Sequence, residues 1–144
     1  MITGVSKVIV PIADQEAALR FWSETIGFSV ARDDAYGDER WIEVKLRGQD
    51  LFLVLSLRRA DELQREVPDE LPHSDQLFDC TDIEQTYAEL TARGVHFPSP
   101  PSRQPFGWWS LFEDTEGTRY ALRQREEQSP QPAGASGMAS AGEA

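Results

Sequence analysis

The stretch VIVPIADQEAALRFWSETIGF, residues 8–28, decides the fold. Val8 to Ile12 is rich in β-branched residues and predicts a strand. Asp14 stands where a helix N-cap is expected, since its short carboxylate reaches the free N–H groups of a first turn. Ala18, Trp22 and Ile26 recur at helical spacing, with Ala17 and Phe21 beside them, and Gly27 predicts the stop. The same order returns in LFDCTDIEQTYAELTARGVHF, residues 77–97. There Leu77 to Cys80 predicts the strand and Asp82 the cap. Ile83, Tyr87 and Leu90 form the apolar stripe, and Gly94 the stop. The spacing from cap to glycine differs by one residue between the copies. An internal repeat constrains a fold more than an isolated motif does.

Working outward, a short strand is predicted after each helix, Phe28 to Ala31 and Val95 to Phe97. Two more follow in each half. Arg40 to Leu46 and Leu51 to Leu57 turn about Gly48; Trp108 to Glu113 and Thr118 to Arg123 turn about Glu116-Gly117. The chain thus reads as an α+β protein, with two tandem βαβββ modules forming a curved mixed sheet around a cleft. One domain over residues 1–125 is expected, with modules at about 1–58 and 73–125. A charged linker, 59–72, carries a helical pattern over 60–66 and then prolines. Residues 126–144, mostly Ser, Pro, Gly, Ala and Gln, are expected to be a disordered tail.

Strand alternation assigns faces. Leu51, Leu53, Leu55 and Leu57 form one row towards the helix, as do Ile42, Val44 and Leu46. Phe52, Val54 and Ser56 then face the other way, with Trp41, Glu43 and Lys45. Open faces mixing aromatic and polar groups suit a small-molecule cleft.

Composition narrows the function classes. The 144 residues carry a net charge of −11. Nucleic-acid binding needs clustered Lys and Arg, so no nucleic-acid partner is expected. No apolar run approaches the ~20 residues of a membrane span, so no membrane partner is expected either. The first residues lack the basic region and cleavage pattern of a secretory signal, and Cys80 is the single cysteine. A reducing, cytoplasmic home is the expectation.

The segments quoted above resemble the vicinal oxygen chelate superfamily of glyoxalase I, extradiol dioxygenases, fosfomycin-resistance enzymes and bleomycin-resistance proteins. Arg40-Trp41 in DERWIEV and the stretch PFGWWSLFEDTEGTRYAL carry the resemblance further. The turn Asp114-Thr115-Glu116-Gly117-Thr118 is similar to the family's D-P-D-G-N turn. The resemblance spans the whole expected domain and implies its fold. It does not select an activity, because this superfold hosts binding, isomerisation, ring cleavage and group transfer.

The resemblance also implies where metal ligands would stand. Those positions hold Lys7, about Val54, Asp75 and Ala121. Only Asp75 is a ligand type, and catalytic divalent sites normally take three protein ligands. No metal and no other cofactor is therefore expected. Lys7 and Asp75 stand where relatives converge on the cation, so an ion pair between them is one reading. Two solvated charges is the other. His73, two residues from Asp75, reads as a loop histidine, and His96 as an edge residue.

The aromatics are the leading ligand contacts. Trp108 and Trp109 are adjacent, so one faces the helix and one the cleft. Trp41, Phe52 and Phe106 join them; the competing reading is core or dimer interface. Lys7, Asp75 and Arg119 complete the ligand-binding candidates, Arg119 because it shares parity with Ala121. Asp75 and Glu43 are the candidate catalytic acids or bases. Cys80 has helix-side parity and reads as a small hydrophobe.

Three functions compete. The first is a metal-independent family member that binds a hydrophobic or aromatic small molecule, with drug sequestration as in bleomycin-resistance-like proteins. The second is a glyoxalase-like lyase or isomerase, or a dioxygenase, with an atypical metal site or a metal-free acid or base. The third is an assembly domain with a vestigial cleft. The resemblance implies a homodimer, and the linker then decides whether modules pair within or between chains.

Overall fold

Both aspartates cap as expected. Asp14 Oδ1 accepts from the Ala17 N–H at 3.0 Å, and Asp82 Oδ1 from that of Gln85 at 3.1 Å. In the computed structural model, which describes residues 1–59, 62 and 66–125, each cap begins the helix of one module. The first module runs β1 (Lys7–Ile12), α1 (Gln15–Arg20), a π-helical segment (Phe21–Thr25), β2 (Ser29–Tyr36), β3 (Glu39–Lys45) and β4 (Phe52–Leu57). The second runs β5 (Leu77–Cys80), α2 (Ile83–Ala92), β6 (Ser102–Gln104), β7 (Gly107–Glu113) and β8 (Arg119–Gln124). The sheets have matching orders, β1-β4-β3-β2 and β5-β8-β7-β6. In each, the first strand pairs in parallel with the last and the other pairs are antiparallel.

The one-residue difference between the copies has a structural cause. The first helix widens after Arg20, and Ile26 N–H donates to Phe21 O at 2.9 Å, five residues back. A wider turn accommodates one extra residue. Gly27 follows at φ 100°, the left-handed position that ends a helix without Cβ strain.

Two strands differ from expectation. β2 continues to Tyr36 through SVARDDAY, every residue of which is exposed. The strand expected at Val95 to Phe97 is one bridge, His96 to Glu113, and β6 forms later at Ser102–Gln104. Pro98, Pro100 and Pro101 intervene, and proline has no N–H to donate to a ladder. The helix expected over 60–66 falls largely outside the described residues, as does the expected tail, 126–144.

The helix-side faces of both sheets meet in one core. Val10, Ile12, Ile42, Val44, Leu53 and Leu55 come from the first sheet, and Phe112, Tyr120 and Leu122 from the second. Trp22, fully buried, joins them. Its ring lies 5.1 Å from Tyr120, 5.6 Å from Phe78 and 5.8 Å from Phe28. Buried Gln15 pins α1 to the strands: its Nε2 donates to Leu55 O at 2.9 Å and to Arg40 O, and its Oε1 accepts from Arg40 N–H. The modules are also clasped at a turn. Glu116, between β7 and β8, accepts from the N–H groups of Ala13 and Asp14 at 2.8–3.0 Å. Asp114 holds that turn, accepting from Glu116 and Thr118 N–H and from the Tyr120 hydroxyl.

Candidate functional site

The open faces lie on the far side of each sheet from the shared core. On the first, register brings Ile9, Val54 and Glu43 into one row across β1, β4 and β3, with Lys7 and Phe52 in the next. Glu43 is the hub, although it is only 4 % exposed. Its Oε2 accepts from the Lys7 ammonium and, at 2.7 Å, from the Trp41 indole N–H. Burial pushes the Glu43 carboxyl up, but hydrogen bonds from Lys7 and Trp41 outweigh it and hold the group below its ordinary value. The Lys7 ammonium also stands 5.4 Å over the Phe52 ring, a cation–π contact. Tyr36, at the exposed end of β2, meets Trp41 edge-on at 5.6 Å.

This geometry replaces one expectation. The partner of Lys7 is Glu43 on the same sheet, not Asp75. Lys7 and Glu43 flank β4 on one face, at Phe52 and Val54, two residues apart. Asp75 instead lines a hollow of about 770 Å³ between the two sheets, with Ile9 and Pro11 on one side and His73, Gln76 and Thr118 on the other.

On the second open face, Trp109 pairs with Arg123 and Leu111 with Ala121. Trp109 is thus the outward tryptophan, and Phe106 meets it edge-on at 5.4 Å. Trp108 turns to the core and packs there, so of the two adjacent rings it does not stand on the open face. Asp79 accepts from the Arg123 guanidinium at 3.1 Å and from Arg125 at 3.5 Å. Arg119, read as a ligand contact, spends its guanidinium on the Leu71 and Pro68 carbonyls. His73 Nδ1 accepts from Arg119 N–H at 2.8 Å. Arg40 is held by Asp33 and Glu16 on the helix side.

Neither Trp41 and Phe52 nor Phe106 and Trp109 line the hollow that contains Asp75. The four positions where relatives hold a metal carry Lys7, committed to Glu43; buried Val54 and Ala121; and Asp75. That donor set does not fit a divalent cation. Among the described residues, no three His, Cys, Asp or Glu side chains group as ligands. No described helix is long and apolar enough to cross a membrane. Sequence reasoning missed Asp79 and Tyr36. Both are polar or edge positions whose role depends on cross-strand register.

Two four-stranded mixed sheets, each built as βαβββ and joined through one core, define a paired-module α+β protein. The chain belongs to the Glyoxalase/Bleomycin resistance protein/Dioxygenase superfamily, whose model matches residues 4–122. It is 29% identical over 129 residues to the uncharacterized protein YetH of Bacillus subtilis (strain 168), covering 86% of this chain and 100% of that one. Among solved structures it is similar to TnmS3, an antibiotic binding protein from Streptomyces sp. CB03234. That match has TM-score 0.71 and 31% identity, and covers 87% of this chain and 98% of that one. It is also similar to a superfamily member from Sphaerobacter thermophilus DSM 20745, at TM-score 0.73 and 28% identity, covering 86% of this chain and 98% of that one.

Proposed function

We propose that the chain is a metal-independent binder of a planar hydrophobic or aromatic small molecule, which it sequesters without turnover. The observation that carries this reading is the pair of aromatic contacts on the open faces: Tyr36 against Trp41 on one, Phe106 against Trp109 on the other. Flat rings beside a few fixed polar groups favour planar ligands. The likeness to an antibiotic binding protein supports the same class of ligand. The two open faces of one chain lie on opposite sides of their sheets from a common core. A cleft bounded by both kinds of face therefore calls for a second copy, and we read the working unit as a homodimer in the cytoplasm.

The enzyme reading has weaker support. Glu43, a candidate base, is committed to Lys7 and Trp41, and their hydrogen bonds lower the proton affinity that a base needs. Asp75 lines the hollow between the sheets, which none of Trp41, Phe52, Phe106 and Trp109 lines.

The test is a tryptophan-quenching titration with a panel of planar polycyclic compounds, alongside sedimentation and elemental analysis. Micromolar binding by a dimer is expected, weakened about tenfold in Trp41→Ala or Trp109→Ala. Stoichiometric zinc, nickel, manganese or iron overturns metal independence. Binding unchanged in both variants overturns the site.

A further inference from the structure

The first open face leaves one carboxylate oxygen without a hydrogen bond. Glu43 takes both of its donors, the Lys7 ammonium and the Trp41 indole N–H, on Oε2. Oε1 accepts no hydrogen bond among the described residues. An ionised carboxylate has about four acceptor sites, so an oxygen of a buried residue left bare calls for an explanation. Oε1 is not sealed in, as the partnerless Trp22 Nε1 and Ser110 Oγ are. It therefore shares in the 6% of the Glu43 side chain that solvent reaches. Arg32 stands opposite Glu43 on β2 but turns to Asp34 at 3.4 Å, and does not supply the missing donor.

Beside this acceptor stands a donor with capacity left. The Lys7 ammonium has three N–H groups, and its side chain is 43% exposed. Its one hydrogen bond goes to Glu43, and it stands 5.4 Å from the centre of the Phe52 ring. A group that donates and accepts at one atom satisfies both members of the pair. A hydroxyl does this; an ether or a carbonyl only accepts. Phe52 and the exposed Ile9 share the two rows of the pair, so an aromatic body attached to that hydroxyl has apolar surface to rest on.

We propose that Lys7 and Glu43 are the specificity element of this face and that its ligand is a phenol, whose hydroxyl donates to Glu43 Oε1 and accepts from Lys7. This rests on the reading of the open faces as ligand surfaces and narrows the ligand class. The lowered proton affinity of Glu43 makes it an acceptor for the hydroxyl and not a base that removes its proton. A site built around a ligand hydroxyl rejects the analogue that lacks it, because the polar groups of the site are then left unpaired.

2-Naphthol, 2-methoxynaphthalene and 2-methylnaphthalene test this on the full-length protein. They share one ring system; the first donates and accepts, the second only accepts, and the third does neither. Affinities are measured by calorimetry at neutral pH. The ¹⁵N-indole resonances of the four tryptophans locate each probe, with Trp41 assigned by its loss in Trp41→Phe. The expected result is that 2-naphthol binds about ten- to a hundredfold more tightly than 2-methylnaphthalene, the contrast set by hydrogen bonds to charged groups, and shifts Trp41 most. 2-Methoxynaphthalene falls between them. Glu43→Gln places an amide N–H₂ where Oε1 stood, and the preference for 2-naphthol over 2-methoxynaphthalene vanishes. Lys7→Met brings 2-methoxynaphthalene down to the level of 2-methylnaphthalene. These are ratios within one variant, which a loss of stability alone does not move. Should a variant fail to fold, the three probes on the unaltered protein still decide. Equal affinity for all three, with Trp41 shifted, overturns the phenol assignment and leaves the aromatic binder standing. A preference for 2-naphthol that registers only at Trp109 overturns the role of Lys7 and Glu43. Release of a proton on binding 2-naphthol, read from heats in buffers of different ionisation enthalpy, overturns the role of Oε1, since a phenolate has nothing to donate. No shift of Trp41 or Trp109 with any probe overturns both the phenol assignment and the reading of the open faces.

Discussion

Replacing Glu43 by glutamine tests the hub of the first open face. The substitution keeps shape and one acceptor oxygen but removes the charge that answers Lys7. Hydrogen bonds to charged groups are worth about 1.5–3 kcal/mol. The Glu43 side chain is 6% exposed and that of Lys7 43%, so solvent screens much of the ion-pair share. The amide oxygen of the variant still accepts from the Trp41 indole, leaving an expected loss of about 1–2 kcal/mol and a fall of a few degrees in Tm. The loss must also depend on pH. The folded Glu43 carboxyl sits below its ordinary value of 4.5, so its stabilisation is complete above that value. It is lost as pH falls through the lower, folded value. Urea unfolding of both proteins at pH 7, and again in steps below pH 4.5, measures this. The gap is expected to close with acid. A gap below about 0.3 kcal/mol at pH 7, or one that persists when carboxylates are protonated, refutes the reasoning. A double-mutant cycle with Lys7→Met isolates the pair, and a coupling near zero is equally damaging.

Trp22→Ala removes the ring shared by both modules and is expected to cost about 3–5 kcal/mol, read as a shift in the urea midpoint. Gln15→Ala leaves the Arg40 N–H and the Leu55 carbonyl without their partner. It should cost about 1–3 kcal/mol by the same assay. Glu116→Ala opens the clasp on Ala13 and Asp14, and hydrogen exchange at those two amides should accelerate while that of Ile12 does not. Gly94→Ala forces a side chain into φ 93° and should cost about 1–2 kcal/mol, whereas Ala92→Gly on the preceding turn costs about 1.

Much of this fold was legible because the repeat carried redundant signals: a cap, an apolar stripe and a glycine stop, twice over. β2 was under-read because SVARDDAY buries nothing, so no alternation of burial betrays the strand. β6 was missed because Ser102-Arg103-Gln104 carries no apolar residue. Its strand character comes from its neighbour, Trp109 opposite Ser102. The site was legible as residue types but not as partners. Lys7 and Glu43 lie 36 positions apart and meet only through the register of β4. The Trp108/Trp109 ambiguity was of the same kind, since alternation says that the rings diverge but only pairing says which goes where.

The wide turn at Phe21–Thr25 has a consequence for how the two halves tolerate length changes. A residue added inside a regular helix rotates everything after it by about 100°. Here the surplus is confined to one turn, and Gly27 still ends the helix before β2 begins. Deleting one residue within that turn should therefore be absorbed by reverting to ordinary α geometry. The matching deletion in α2 has no such slack and would swing Leu90 off the core.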